Sequence, residues 1–162
     1  MTEIGQLVDT NYLMSETKVK PGAFRGGILV NNVDRKLILI QKTSSKEPLN
    51  YPNYWDEKCI GLLHYCGTNK HQSKEIEEQS LSVQENDILN KGTYPIHVYL
   101  YYQNSTYRYL GTFSRLPKYD DVLMYNGKRM HRFGLISNNI EAVHPYIDEI
   151  ISEGQIIIDQ TE

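Results

Sequence analysis

Cysteine is almost missing from this sequence. Cys59 and Cys66 are the only two in 162 residues. They form no CxxC pair and share no Cys/His ligand spacing, which excludes a zinc site and any other bound metal of that type. Positive charge is also short. Seventeen Lys and Arg against 20 Asp and Glu leave a formal net charge of -3. Broad electrostatic adhesion to nucleic acid needs a basic footprint, so any DNA affinity must come from a few placed cations and a specific pocket. Met1 to Asp9 carry neither a basic n-region nor an apolar h-region, so no secretory signal is read. No apolar run approaches the roughly 18 residues of a membrane span. The expectation is a cytoplasmic protein with no membrane partner.

What is present fits one ordinary domain over 1–162: hydrophobic residues make up 40% and charged residues 23%, which argues against disorder. The 13 tyrosines are out of the ordinary. An amphipathic ring suits β-strands, and it also suits a surface that stacks flat rings.

Residues 1–23 are polar, with a turn signal at Pro21-Gly22. Ile28-Leu29-Val30 follows as a strand, and Leu37-Ile38-Leu39-Ile40 reads as a strand buried on both faces. Residues 43–54 form a loop, the usual place for recognition residues. Gly61 to Tyr65 is a further short strand. Ser73 to Asn90 reads as the main helix, with Glu75, Glu77 and Glu78 at its N-terminal end and Gly92 as its stop. Residues 96–113 alternate and turn at Gln103-Asn104-Ser105, a β-hairpin. His131 to Ile136 is another strand, and Pro145 to Glu153 a short terminal helix stopped by Gly154. Many strands with few helices imply an α+β fold built on a curled or closed sheet.

The order of short motifs resembles a known family. Gly26-Gly27-Ile28 is followed by Tyr51-Pro52-Asn53-Tyr54-Trp55, then by Leu63-His64-Tyr65-Cys66-Gly67. Gln79-Ser80-Leu81 with Asn86 comes next, then Pro95-Ile96-His97-Val98-Tyr99 and Tyr107-Arg108-Tyr109-Leu110-Gly111. This series is similar to SRA (SET- and RING-associated) domains, and most of all to the SRA-like modules of bacterial modification-dependent restriction endonucleases. It runs over roughly residues 25–136.

The resemblance implies a twisted, largely closed β-barrel of the PUA-like/SRA type with flanking helices. It also implies a reader of modified cytosine, 5-methylcytosine or a derivative, that flips the base into an aromatic pocket. Flipping costs a few kcal/mol, and each stacked aromatic face returns about 1–3 kcal/mol. Carried onto this sequence, Tyr65 is one stacking ring, ending a strand at the barrel mouth with one face open. Tyr51 is the opposite ring, with Trp55 as second choice. Asn53 or Asp56 reads the base edge, His64 lines the pocket, and Gly67 lets the backbone approach closely. Lys42, Lys70, His71 and Lys74 are the candidates for the DNA backbone. Each has a plainer reading: Tyr65 and Trp55 as core, Asn53 in an Asx-turn, Asp56 and the cations as solvated groups. Cys66 stands where the family has threonine. The interval from Trp55 to Tyr65 and the stretch from Gly67 to Gln79 are both longer than the family pattern.

No nuclease chemistry is legible. The five histidines lack the spacing of an HNH site, Glu16-Thr17-Lys18 has no upstream acid at a workable distance, and no phosphate-binding GxxxxGK[ST] loop occurs. His64 and Cys66 share a strand face, without further support for a catalytic pair. The expectation is therefore a non-catalytic recognition domain with no cofactor. Its partners would be double-stranded DNA carrying a modified cytosine and a nuclease in another domain or subunit. The rivals are a PUA-like reader of another modified base in DNA or RNA, a small nuclease with an unrecognised site, and a protein-interaction domain.

Overall fold

The computed structural model describes residues 2–18, 27–43 and 51–157. Gly26 and most of the loop read at 43–54 lie outside the described residues. The elements, in chain order, are β1 (Leu7–Asp9), α1 (Thr10–Thr17), β2 (Ile28–Asn31), β3 (Lys36–Lys42), β4 (Tyr54–Trp55) and β5 (Leu62–Cys66). Then come α2 (Gln84–Lys91), β6 (Ile96–Tyr102), β7 (Thr106–Arg115), β8 (Asp121–Tyr125), β9 (Lys128–Ser137) and α3 (Ile140–Ser152).

The strands form one mixed sheet in the order β2-β3-β6-β7-β9-β5-β4, with β1 added to β7 and β8 to β9. The fold is α+β, as expected, but the sheet is not a closed barrel. Among the described residues β2 and β4 end it and do not pair with each other. Side chains rather than a strand ladder span the gap between its two ends: the Tyr65 hydroxyl on β5 lies 2.9 Å from the Gly27 carbonyl and 3.0 Å from the Ile40 carbonyl. We call this gap the seam.

Side-chain alternation sorts the core. Leu37 and Leu39 of β3 point into the main cluster, while Ile38 joins a second cluster on the opposite face with Leu13 of α1. The strand is buried on both sides, in line with its uninterrupted apolar run. Leu63, Tyr65, Val98, Leu110, Phe133 and Leu135 fill the main cluster, which α2 (Ile88, Leu89) and α3 (Val143, Ile147, Ile150) cover.

The β6–β7 hairpin lies where the alternation put it, and positive φ at Asn104 (70°) and Ser105 (57°) makes the turn. The helix read at Ser73 to Asn90 is shorter, Gln84–Lys91. Its expected first half is irregular because its polar groups are committed elsewhere. The Gln79 backbone N–H donates to Arg129, the Glu77 carbonyl accepts from Arg129, and Ser80 Oγ accepts from the Ser82 N–H. Such local side-chain bonds compete with helix. Gly92 does end α2, its N–H donating to Ile88 and Leu89 carbonyls. The terminal helix starts earlier than read and carries Pro145 inside it.

Candidate functional site

Three of the motif residues, Gly27, Asn53 and Tyr65, meet at the seam. Gly27 opens β2 with φ +78°, and a Cβ there would come within 2.8 Å of the Tyr65 hydroxyl. Glycine is needed both for the backbone and for that close approach. Tyr65 is 2% exposed and belongs to the main core, so the ring face expected to lie open is covered. Burial pushes its hydroxyl far above the ordinary tyrosine range, which keeps it a neutral donor shared between two carbonyls.

Asn53 makes no local Asx-turn. Its Oδ1 accepts from the Cys66 backbone N–H at 2.6 Å, and its Nδ2 donates to Gln41 Oε1 at 3.1 Å. The amide therefore ties the β4 side of the seam to β5 and to the end of β3. Tyr51 is half-buried against Cys66, Leu123 and Met130. Its hydroxyl accepts from the Asn69 N–H at 3.0 Å and lies 3.3 Å from Thr68 Oγ1.

Gly67 follows β5. A Cβ on it would meet Asn86 Oδ1 at 2.7 Å and Gln79 Oε1 at 2.8 Å. The space that its missing side chain leaves is taken by these two buried amides. Gln79 Oε1 accepts from the His131 N–H, and its Nε2 donates to the Gly67 carbonyl. Asn86 accepts from the Thr68 N–H and donates to the Thr68 and Ser80 carbonyls. The Gln79 and Asn86 motif positions thus lock the turn that carries Gly67 and Thr68 beside Tyr51.

The other face of β5 holds a second polar assembly. His64 stacks on Tyr54 with centroids 4.3 Å apart and planes at 11°, and the Arg132 guanidinium lies 5.0 Å from the Tyr54 ring centroid. Arg132, fully buried, pairs with Asp121 at 2.5 and 2.9 Å and donates to the Pro52 carbonyl. His64 Nε2 lies 3.0 Å from Asp56 Oδ2, while Asp56 Oδ1 accepts from the Lys58 and Cys59 N–H groups. Burial alone would raise the Asp56 carboxyl, but the His64 bond and the two backbone donors outweigh it and hold the pKa below its usual value. Asp56 is thus a turn and pairing group. Trp55 is fully buried in the core beside Phe113. Cys66 shares the His64 face as expected but contacts Met130 Sδ and Gln79 instead, and burial pushes its thiol up to about 12. A thiol held neutral in this way is a poor nucleophile.

The expected backbone cations stand on two separate segments. Lys42 ends β3 and is exposed, Lys70 and His71 sit in the turn after Gly67, and Lys74 is exposed beyond it. His71 lies 3.5 Å from Glu85. The structure places Tyr65 and Asn53 at the seam and packs Trp55 into the same core as Tyr65. It sets Tyr51 with Cys66 on the opposite face of β5 together with His64 and Asp56, and packs Gly67 against Gln79 and Asn86. Three residues that sequence reading missed are Gln41, Arg132 and Asp121. The last two belong to the β8–β9 hairpin, whose Asn126-Gly127 turn, with φ 52° and 76°, is a hairpin signal in its own right. Among the described residues no group of three or more His, Cys, Asp or Glu could hold a metal ion, and no helix is long and apolar enough to cross a membrane.

No protein-family model matches the sequence, and no curated protein matches it. Solved structures do match. The SUVH5 SRA domain in complex with fully methylated CG DNA superposes with a TM-score of 0.55 at 19% identity, covering 83% of this chain and 88% of that one. The modification-dependent TagI restriction endonuclease gives 0.55 at 15%, covering 88% of this chain and 52% of that one. The sulfur-binding and SRA domains of ScoMcrA, complexed with phosphorothioated DNA, give 0.58 at 13%, covering 99% and 48%. The chain spans about half the length of the last two. The chain has the fold of these SRA domains.

Proposed function

We propose that this chain reads a modified cytosine in duplex DNA, flipping the base into the seam between the two ends of the sheet. The observation that carries the reading is the convergence of Tyr65, Asn53 and Gly27, distant in sequence, on one gap in a fold shared with SRA domains bound to methylated DNA. Tyr65 supplies one ring, Tyr51 or Trp55 the other, and Asn53 reads the base edge. Tyr65 is covered, so base entry requires the seam to open. No strand ladder has to break for that, only side-chain hydrogen bonds worth about 1 kcal/mol each. Lys42, Lys70, His71 and Lys74 contact phosphates.

On this reading the chain is a recognition module without catalytic activity, acting in the cytoplasm within a modification-dependent restriction system whose nuclease is another domain or subunit. The test is fluorescence polarisation with one duplex in four forms: unmodified, methylated, hydroxymethylated and glucosylated at one cytosine, each at two salt concentrations. At least one modified form should bind more tightly, and the ratio should survive added salt better than the affinity itself, because phosphate contacts carry the salt dependence. Equal affinity for all four at both salts would reject it in favour of a protein-interaction domain.

A further inference from the structure

A chain of fixed hydrogen-bond polarity runs through the seam. The Cys66 backbone N–H can only donate, so the Asn53 atom facing it is the oxygen. The other end of that carboxamide is therefore Nδ2, which donates to Gln41 and obliges Gln41 to turn its Oε1 toward Asn53. The Gln41 amino group is left on the opposite edge of its own amide. Gln41 is only 8% exposed, and it directly follows Ile40, whose carbonyl takes the Tyr65 hydroxyl. With its oxygen committed to Asn53, the Gln41 amide keeps its amino group as a donor for another partner.

We propose that Gln41 is a specificity-determining residue that holds an N–H donor beside the second lone pair of Asn53 Oδ1. Together they select a base edge with an amino donor next to a ring acceptor. The inference rests on the base-flipping reading above. Cytosine and its 5-substituted forms offer that edge, N4–H beside N3. Thymine offers the reverse, O4 beside N3–H. Since 5-methylcytosine and thymine carry the same 5-methyl group, only the polarity of the edge separates them.

The experiment is competition binding with three duplexes that differ in one base opposite guanine: cytosine, 5-methylcytosine or thymine. The G·T mismatch is easier to unstack, so the comparison is set against the proposal. Wild type should prefer 5-methylcytosine to thymine by about five- to hundredfold. Gln41→Met keeps the length of the side chain and removes the donor, and should bring that ratio toward one. Asn53→Asp still accepts from the Cys66 N–H but presents a second oxygen to Gln41, which must rotate its amide and expose Oε1. That variant should narrow or invert the ratio, and it decides the matter if Gln41→Met melts too low to assay. A wild-type ratio retained in the folded variants would overturn the role of Gln41 alone, as would a wild type that separates 5-methylcytosine from cytosine but not from thymine. Equal wild-type binding to all three would overturn this inference, while the pocket reading itself is decided by the four-duplex panel above.

Discussion

In the β6–β7 hairpin the tyrosines meet one another. Tyr99 lies 5.0 Å from Tyr109 and Tyr101 lies 5.2 Å from Tyr107, each a directly opposed cross-strand pair. At the β4–β5 end of the sheet they meet polar groups instead. Tyr65 holds two backbone carbonyls, Tyr51 accepts a backbone N–H, and Tyr54 lies between His64 and Arg132. The same side chain therefore serves as ladder packing in one region and as a polar bracket in the other. Tyr109 and Tyr102 of the hairpin also use their hydroxyls, toward His97 Nδ1 at 2.7 Å and Arg108 Nε at 3.2 Å. These bonds stay within the hairpin, whereas that of Tyr65 crosses the gap between the two ends of the sheet. The base-flipping pocket proposed above would draw on the second kind.

Removing whole rings should break the comparison most visibly. Tyr65→Ala empties a fully packed site and should cost about 3–5 kcal/mol, as large aromatic truncations in cores do. In a domain of this size that lowers Tm by about 10 °C or more. Tyr101→Ala, in the half-buried part of the hairpin, should cost about 1 kcal/mol. Equal shifts for the two in thermal melts would remove the distinction.

Hydroxyl deletion sharpens it. Tyr65→Phe should cost about 1 kcal/mol, because two carbonyls lose their shared donor, whereas Tyr101→Phe should stay within about 0.5 kcal/mol of wild type. Urea melts resolve differences of that size. The stacking role predicts a further split: the ring remains in Tyr65→Phe, so its preference among modified duplexes should remain too.

The smallest effect concerns the other face of β5. The Asp56 pKa is depressed in the folded protein, so its ionised form stabilises the fold above the unfolded value near 3.8. That contribution is lost as pH falls through the folded pKa below it. Asp56→Asn should therefore lower Tm at pH 6, and the gap to wild type should close as pH drops below about 4. A gap that stays constant from pH 6 to pH 3 would show that the carboxylate charge is not what holds the turn.

Much of the sheet was legible. The β3 run and the alternating β6–β7 hairpin carry local periodicities, and a strand needs little more than that to be recognised. The 73–90 helix was overread because Glu75, Glu77, Glu78 and Gln79 suit a helix start, while the structure sends Gln79 inward to the β5 turn. The site was legible in part. The motif order pointed to Tyr51, Asn53, Tyr65 and Gly67, of which Tyr65 and Asn53 lie at the seam while Tyr51 and Gly67 pack on neighbouring segments. Trp55 is next to them in sequence and packs into the same core as Tyr65, fully buried, whereas Asp56 is held by its own turn and by His64.

By itself, the sequence determined the strand content, the hairpin, the turn glycines and the order of the motif segments, since each depends on residues within a few positions of one another. Only the tertiary structure decided that the sheet stays open, that Tyr65 spans the gap, and that Gln41 faces Asn53. These contacts join residues 12 to 38 positions apart. They exist only once the whole sheet has curled far enough to bring its two ends within hydrogen-bonding reach.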